Sequence, residues 1–186
     1  DLSDPNKDAR LKDVETAKKW VDIANYIDSG SLRYNIGGKR GGTKKEQIKA
    51  AIDSFSRLAD YGAERNVKIL IENHAGGLST HYQDLVTVFK VVNSPFFEPL
   101  NEPGNYLGRE DAQNGMREFF KLSGWLCHIR PLQDIKYITI EEVFKIMNES
   151  GYHGFCSIES CRDIQTRKDL EEGIREMINL TLKYLT

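Results

Sequence analysis

The chain has 186 residues, 39% hydrophobic and 29% charged, which is enough apolar material for one domain with a buried core. Its formal net charge is -2, so no basic excess points to nucleic acid as a partner. No apolar run approaches the roughly 20 residues of a membrane-crossing helix, so no membrane partner is expected either.

Residues 1–10 read as a polar lead-in without the apolar stretch of a signal peptide. The chain starts at Asp1 rather than Met, which leaves room for residues upstream. Leu11, Val14, Ala17, Val21, Ala24 and Ile27 then recur in steps of three and four, the stripe of an amphipathic helix. Residues 32–36, Leu-Arg-Tyr-Asn-Ile, are a short strand candidate. They run into Gly37-Gly38-Lys39-Arg40-Gly41-Gly42-Thr43. The glycine spacing approaches that of a nucleotide P-loop, but Thr43-Lys44 has the last pair in the wrong order. Two readings remain: an anion held by Lys39 and Arg40 ahead of a helix, or a plain βα loop with Thr43 as helix cap, which is favoured.

A helix is predicted over residues 43–63, with Ile48, Ile52, Phe55, Leu58, Ala59 and Gly62 on one face. Val67-Lys68-Ile69-Leu70-Ile71 is a short apolar run after a long helix, the pattern of a buried parallel strand. It closes on Glu72-Asn73-His74, and in α/β proteins ligands bind at the carboxyl ends of the strands. A helix over 80–92 follows, then strand 96–101, ending at Glu102-Pro103-Gly104-Asn105. Next come a helix over 111–122 interrupted by Gly115, a strand at 125–130 and a loop over 131–137. Thr139 and Glu142 have the capping-box spacing for a helix over 140–148. Strand 155–159 and a last helix over 166–184 complete the chain. Strand and helix alternate with no linker between them, which argues for parallel βα units in a single domain, 1–186. Three cysteines without a CxxC pair (Cys127, Cys156, Cys161) fit a reducing, cytoplasmic compartment better than a disulfide framework.

Four strand ends carry metal-capable side chains: Glu72, Glu102, His128 and Glu159, separated by 30, 26 and 31 residues. An eight-unit barrel of about 250 residues spends roughly 31 on each βα unit, so each candidate falls one unit after the last. In a barrel such positions converge on one rim. Three carboxylates and an imidazole suit a divalent ion, Mn²⁺ or Mg²⁺ ahead of Zn²⁺. Each residue alone has a plainer explanation: Glu102 as a turn residue, His128 as a core histidine, Glu159 as a cap. The repeated placement at one-unit spacing raises the set above them.

These residues resemble the xylose isomerase-like TIM-barrel family of sugar-phosphate isomerases and epimerases. The likeness runs through Asp13-Val14-Glu15-Thr16-Ala17, Leu32-Arg33-Tyr34, Ile71-Glu72-Asn73-His74-Ala75-Gly76-Gly77, Asn101-Glu102-Pro103-Gly104-Asn105 and Gly151-Tyr152-His153-Gly154-Phe155-Cys156-Ser157-Ile158-Glu159. The resemblance implies a (β/α)8 TIM barrel of which this chain holds the last five βα units, with the earlier strands upstream or on a partner. It implies Glu72, Glu102, His128 and Glu159 as metal ligands, with Glu72 and Glu159 as the catalytic acid/base pair. Arg33, Asn73, His74 and Asn105 become rim residues able to touch substrate. The partner is a small sugar or sugar-phosphate, in a monomer or a homo-oligomer. Glu102 stands where the family usually has Asp, and Cys127-His128-Ile129-Arg130 matches its His-x-Lys ending loosely, so that a register change would bring Arg130 to the metal position. The alternatives are a non-catalytic sugar-binding relative with a degenerate metal site and an endonuclease of the same superfamily. The low histidine count and the net charge argue against the second.

Overall fold

The computed structural model describes residues 1–38, 40–130, 135–159 and 166–184. The chain divides into two compact units, Asp1–Leu100 and Asn101–Thr186.

The first unit alternates α1 (Lys7–Tyr26), β1 (Ser31–Tyr34), α2 (Lys44–Ala63), β2 (Lys68–Glu72), a 3-10 turn (Gly77–Thr80), α3 (Tyr82–Val92) and β3 (Phe97–Leu100). Its three strands form one parallel sheet in the order β1-β2-β3, with Tyr34 opposite Ile71 and Glu72 opposite Leu100. In β2, Ile69, Leu70 and Ile71 are buried on both faces, which is why they read as an apolar run, and Glu72 is buried after them. Phe97 of β3 stacks on Phe55 of α2 and packs against Phe89 of α3, with ring centroids 5.0 and 4.6 Å apart. Gly62 lets α2 close on the start of β2, since a Cβ there would lie 2.4 Å from the Val67 carbonyl oxygen.

Residues 1–10 are not a lead-in. Leu2, Ser3 and Asp4 are buried, and α1 starts at Lys7 rather than Leu11. Asn6 caps the helix by accepting from Ala9 N–H, and Asp4 accepts from Asn6 N–H. Arg10 is buried because its guanidinium donates to the Asp4 carbonyl and to Asp53 of α2. Polar side chains enter a core when their hydrogen bonds are met inside it. At the other end, Ile27 lies beyond α1 and is exposed, although it falls on the apolar stripe.

The second unit carries a 3-10 turn (Pro103–Asn105), α4 (Arg109–Leu122), β4 (Leu126–Ile129), α5 (Ile140–Glu149), β5 (Phe155–Ile158) and α6 (Arg167–Tyr184). Strands β4 and β5 pair in parallel, with Cys127 opposite Cys156 and His128 opposite Ser157. Asn101 bridges to Cys127 on the other side, its carbonyl accepting from His128 N–H. Helix α4 runs through Gly115 without a break, with Gly115 buried. The Thr139–Glu142 capping box opens α5 as its spacing predicts. Phe119, Phe144, Met116, Met147, Ile129 and Met177 fill the core of this unit.

Candidate functional site

In the first unit, the polar residues gather at the carboxyl end of β2. Glu72 is 3% exposed, and Arg33 of β1 donates to its Oε2 from Nη1 at 2.5 Å. Asn73 is buried, whereas His74 is exposed, with Nδ1 3.1 Å from the Ala75 carbonyl oxygen. Behind them the β1–α2 and β2–α3 loops meet backbone to backbone. Gly77 has φ +62°, a Cβ on it would lie 2.0 Å from the Gly37 carbonyl oxygen, and Leu78 N–H donates to that same oxygen. In the 37–43 loop, Gly37, Gly38 and Gly42 therefore serve close packing, whereas a Cβ on Gly41 would meet no neighbour. Arg40 lies 3.0 Å from Asp13 and 3.6 Å from Asp4, while Thr43 and Glu46 form a capping box on α2. Lys39 lies outside the described residues.

In the second unit, Glu102, His128 and Glu159 converge. Each offers a ligand atom, all within 4.8 Å of one another. His128 Nδ1 lies 3.2 Å from Glu102 Oε2 and 3.3 Å from Glu159 Oε2. Two donors bound to one ion at about 2.1 Å, at right angles to tetrahedral angles, lie roughly 3.0–3.4 Å apart, so these spacings match edges of a divalent coordination shell. The two carboxylates and one imidazole fit such an ion chemically as well. Glu102 is fully buried, and its Oε1 accepts from Gly104 N–H at 2.8 Å. Asn105 sits in the same turn, half-buried, with its N–H donating to the Glu102 carbonyl.

Arg130 joins this cluster. It is 5% exposed, with Nε 2.8 Å from Glu102 Oε1 and Nη2 donating to Glu159 Oε2 at 2.5 Å. Sequence reasoning treated Arg130 as a rival to His128, and the structure brings both to the same carboxylates. The signal was present: residues two apart on an extended chain face the same side.

The carboxylates are pushed apart in acidity. Burial works against ionisation of Glu102, but hydrogen bonds with His128 and Glu159, together with the Arg130 guanidinium, hold its carboxyl below the usual range. Burial and the adjacent Glu102 carboxylate push Glu159 up.

The sequence matches the xylose isomerase-like TIM barrel family over residues 1–183. The chain belongs to this family. Its fold is accordingly α/β and TIM-barrel-like, with the described strands parallel. Among solved structures, an L-ribulose 3-epimerase matches at TM-score 0.82 and 13% identity, over 98% of this chain and 71% of that one. A D-psicose 3-epimerase with D-tagatose from Clostridium cellulolyticum H10 matches at TM-score 0.81 and 16% identity, over 100% and 74%. A xylose isomerase-like TIM barrel protein from Mycobacterium smegmatis in complex with magnesium matches at TM-score 0.72 and 13% identity, over 97% and 70%. No curated protein sequence matches the chain. No helix among the described residues is long and apolar enough to cross a membrane.

Proposed function

We propose that this chain is a divalent-metal-dependent isomerase or epimerase of a small sugar, moving a proton on the carbon next to a carbonyl. The observation that carries the reading is the facing of His128 Nδ1 by Glu102 Oε2 and Glu159 Oε2, two carboxylates and an imidazole at coordination-shell spacing. The fold likeness to 3-epimerases of L-ribulose and D-psicose supports the substrate class, and the magnesium complex of a family member supports the metal class.

In this reading Glu72 is the fourth ligand. It is a buried carboxylate at a strand end, one βα unit ahead of Glu102. A bound divalent ion supplies Lewis acidity, polarising the substrate oxygens and acidifying the carbon-bound proton. Glu72 takes that proton as base, its carboxylate held against Arg33. Glu159 returns one from the opposite face. Arg33, Asn73, His74 and Asn105 contribute polar groups for substrate hydroxyls or a phosphate, with Arg33 and His74 the exposed members.

One observation favours a second reading. The Arg130 guanidinium already bridges Glu102 and Glu159, as it would in a sugar-binding relative that works without metal. Product analysis separates the two. The protein is incubated with Mn²⁺ and a panel of ketopentoses and ketohexoses, and C3 epimers are sought by chromatography. The epimerase reading predicts an epimer from at least one sugar, with loss of about 10²-fold or more in Glu72→Gln and Glu159→Gln. A folded, Mn²⁺-loaded protein that makes no epimer from any of them would overturn it.

A further inference from the structure

We infer that Arg130 is a positioning residue that acts as a resident cation, fixing the Glu102 and Glu159 carboxylates while lowering the site's affinity for a divalent ion. The inference rests on the metal reading above and adds to it the setting of metal affinity by this chain.

The geometry is a fork. Arg130 Nε lies against Glu102 Oε1 at 2.8 Å, and Nη2 against Glu159 Oε2 at 2.5 Å. The first contact leaves Glu102 Oε2, the oxygen 3.2 Å from His128 Nδ1, pointing toward the imidazole. Gly104 N–H holds Oε1 as well, so Glu102 is tied back through one oxygen and presents the other. The second contact differs: Glu159 Oε2 is the same oxygen that lies 3.3 Å from His128 Nδ1. Guanidinium and metal therefore compete for one oxygen of Glu159 and share Glu102 through different oxygens.

Charge points the same way. Two ionised carboxylates offer two negative charges, and Arg130 cancels one. An arginine stays protonated in any protein environment, so this positive charge cannot be shed when a metal arrives. At 5% exposure it is also poorly screened by solvent. A buried cation a few ångströms from a metal position repels the ion. A side chain that served only to hold the carboxylates in place would behave oppositely: its removal would scatter the ligands and weaken binding.

The test is Mn²⁺ titration by calorimetry on the whole protein, comparing wild type with Arg130→Gln and Arg130→Lys. Gln keeps a hydrogen-bond donor and removes the charge, whereas Lys keeps the charge and loses the fork. Arg130→Gln is expected to bind Mn²⁺ at least about tenfold tighter than wild type, about 1.4 kcal/mol. Arg130→Lys is expected to stay within about threefold of wild type, because the charge is retained. A parallel melt with and without Mn²⁺ should show a larger metal-dependent rise in Arg130→Gln. If Arg130→Gln does not fold, Arg130→Met, of similar length and uncharged, takes its place. Unchanged or weaker binding in a folded uncharged variant, with wild type binding normally, overturns the role of Arg130 and leaves the metal reading standing. Absence of binding in wild type and in the uncharged variant alike overturns both.

Discussion

Arg33 Nη1 lies 2.5 Å from Glu72 Oε2, linking the carboxyl ends of two neighbouring parallel strands. Glu72 is almost fully buried, while Arg33 is 42% exposed. Replacing Arg33 by Met removes a charged partner from a buried carboxylate. The expected cost is about 1–2 kcal/mol, the lower part of the range for such losses, because solvent reaches the arginine side. A thermal melt checks it, and an unchanged midpoint would show that the pair contributes nothing to stability.

Glu102 spends its two oxygens on different partners: Gly104 N–H and Arg130 on Oε1, His128 on Oε2. Shortening it in Glu102→Asp withdraws the carboxylate by about 1.5 Å. Metal distances tolerate only about 0.2 Å. In the metal reading, Mn²⁺ affinity should therefore fall about tenfold or more in calorimetry.

Asp53 is paired with Arg10 at 2.8 Å and with Arg57 at 3.1 Å. Burial opposes its ionisation, but the two arginines outweigh it and hold its carboxyl below the usual range. A carboxyl whose folded pKa is depressed stabilises the fold above its unfolded value, and that stability is lost as pH falls through the folded value. Asp53→Asn should lower the melting temperature at pH 7. The gap from wild type should close progressively on acidification below about pH 4. A gap that stayed constant to pH 2.5 would contradict the assignment.

Cys127 and Cys156 face each other across β4 and β5, with sulfurs 3.7 Å apart. The Cys127 thiol donates to Cys156, which lowers the Cys156 pKa; the same bond, together with burial, pushes Cys127 well up. Cys127 is 1% exposed and Cys156 half-buried. Thiolate fraction and access both favour Cys156. Iodoacetamide at pH 7 should modify Cys156 at least about tenfold faster than Cys127, read by peptide mapping. Equal labelling would contradict the hydrogen-bond direction.

The helices and strands were legible where one face is apolar. The β2 run, the Thr43 and Thr139 caps and the positions of the described strands follow from periodicity and capping chemistry alone. The buried start of the chain was not legible, because Ser3, Asp4 and Arg10 are polar and their hydrogen bonds depend on Asp1, on one another and on Asp53, more than forty positions away. Glu102, His128 and Glu159 could be placed at strand ends by spacing. Arg130 was visible only as an alternative to His128, since spacing reports which strand a residue ends and not which neighbours its side chain reaches. The Cys127–Cys156 contact likewise needs the β4–β5 register, which no local pattern supplies.

Proton transfer at the sugar carbon next to the carbonyl is read directly by solvent deuterium. The protein is incubated with Mn²⁺ and a ketose in D₂O, and the carbon-bound proton is followed by NMR. Wild type is expected to wash deuterium in at that carbon, slowed about 10²-fold or more in Glu72→Gln, which lacks the abstracting base. A folded, Mn²⁺-loaded wild-type protein that leaves this proton unexchanged in every sugar tested would contradict it.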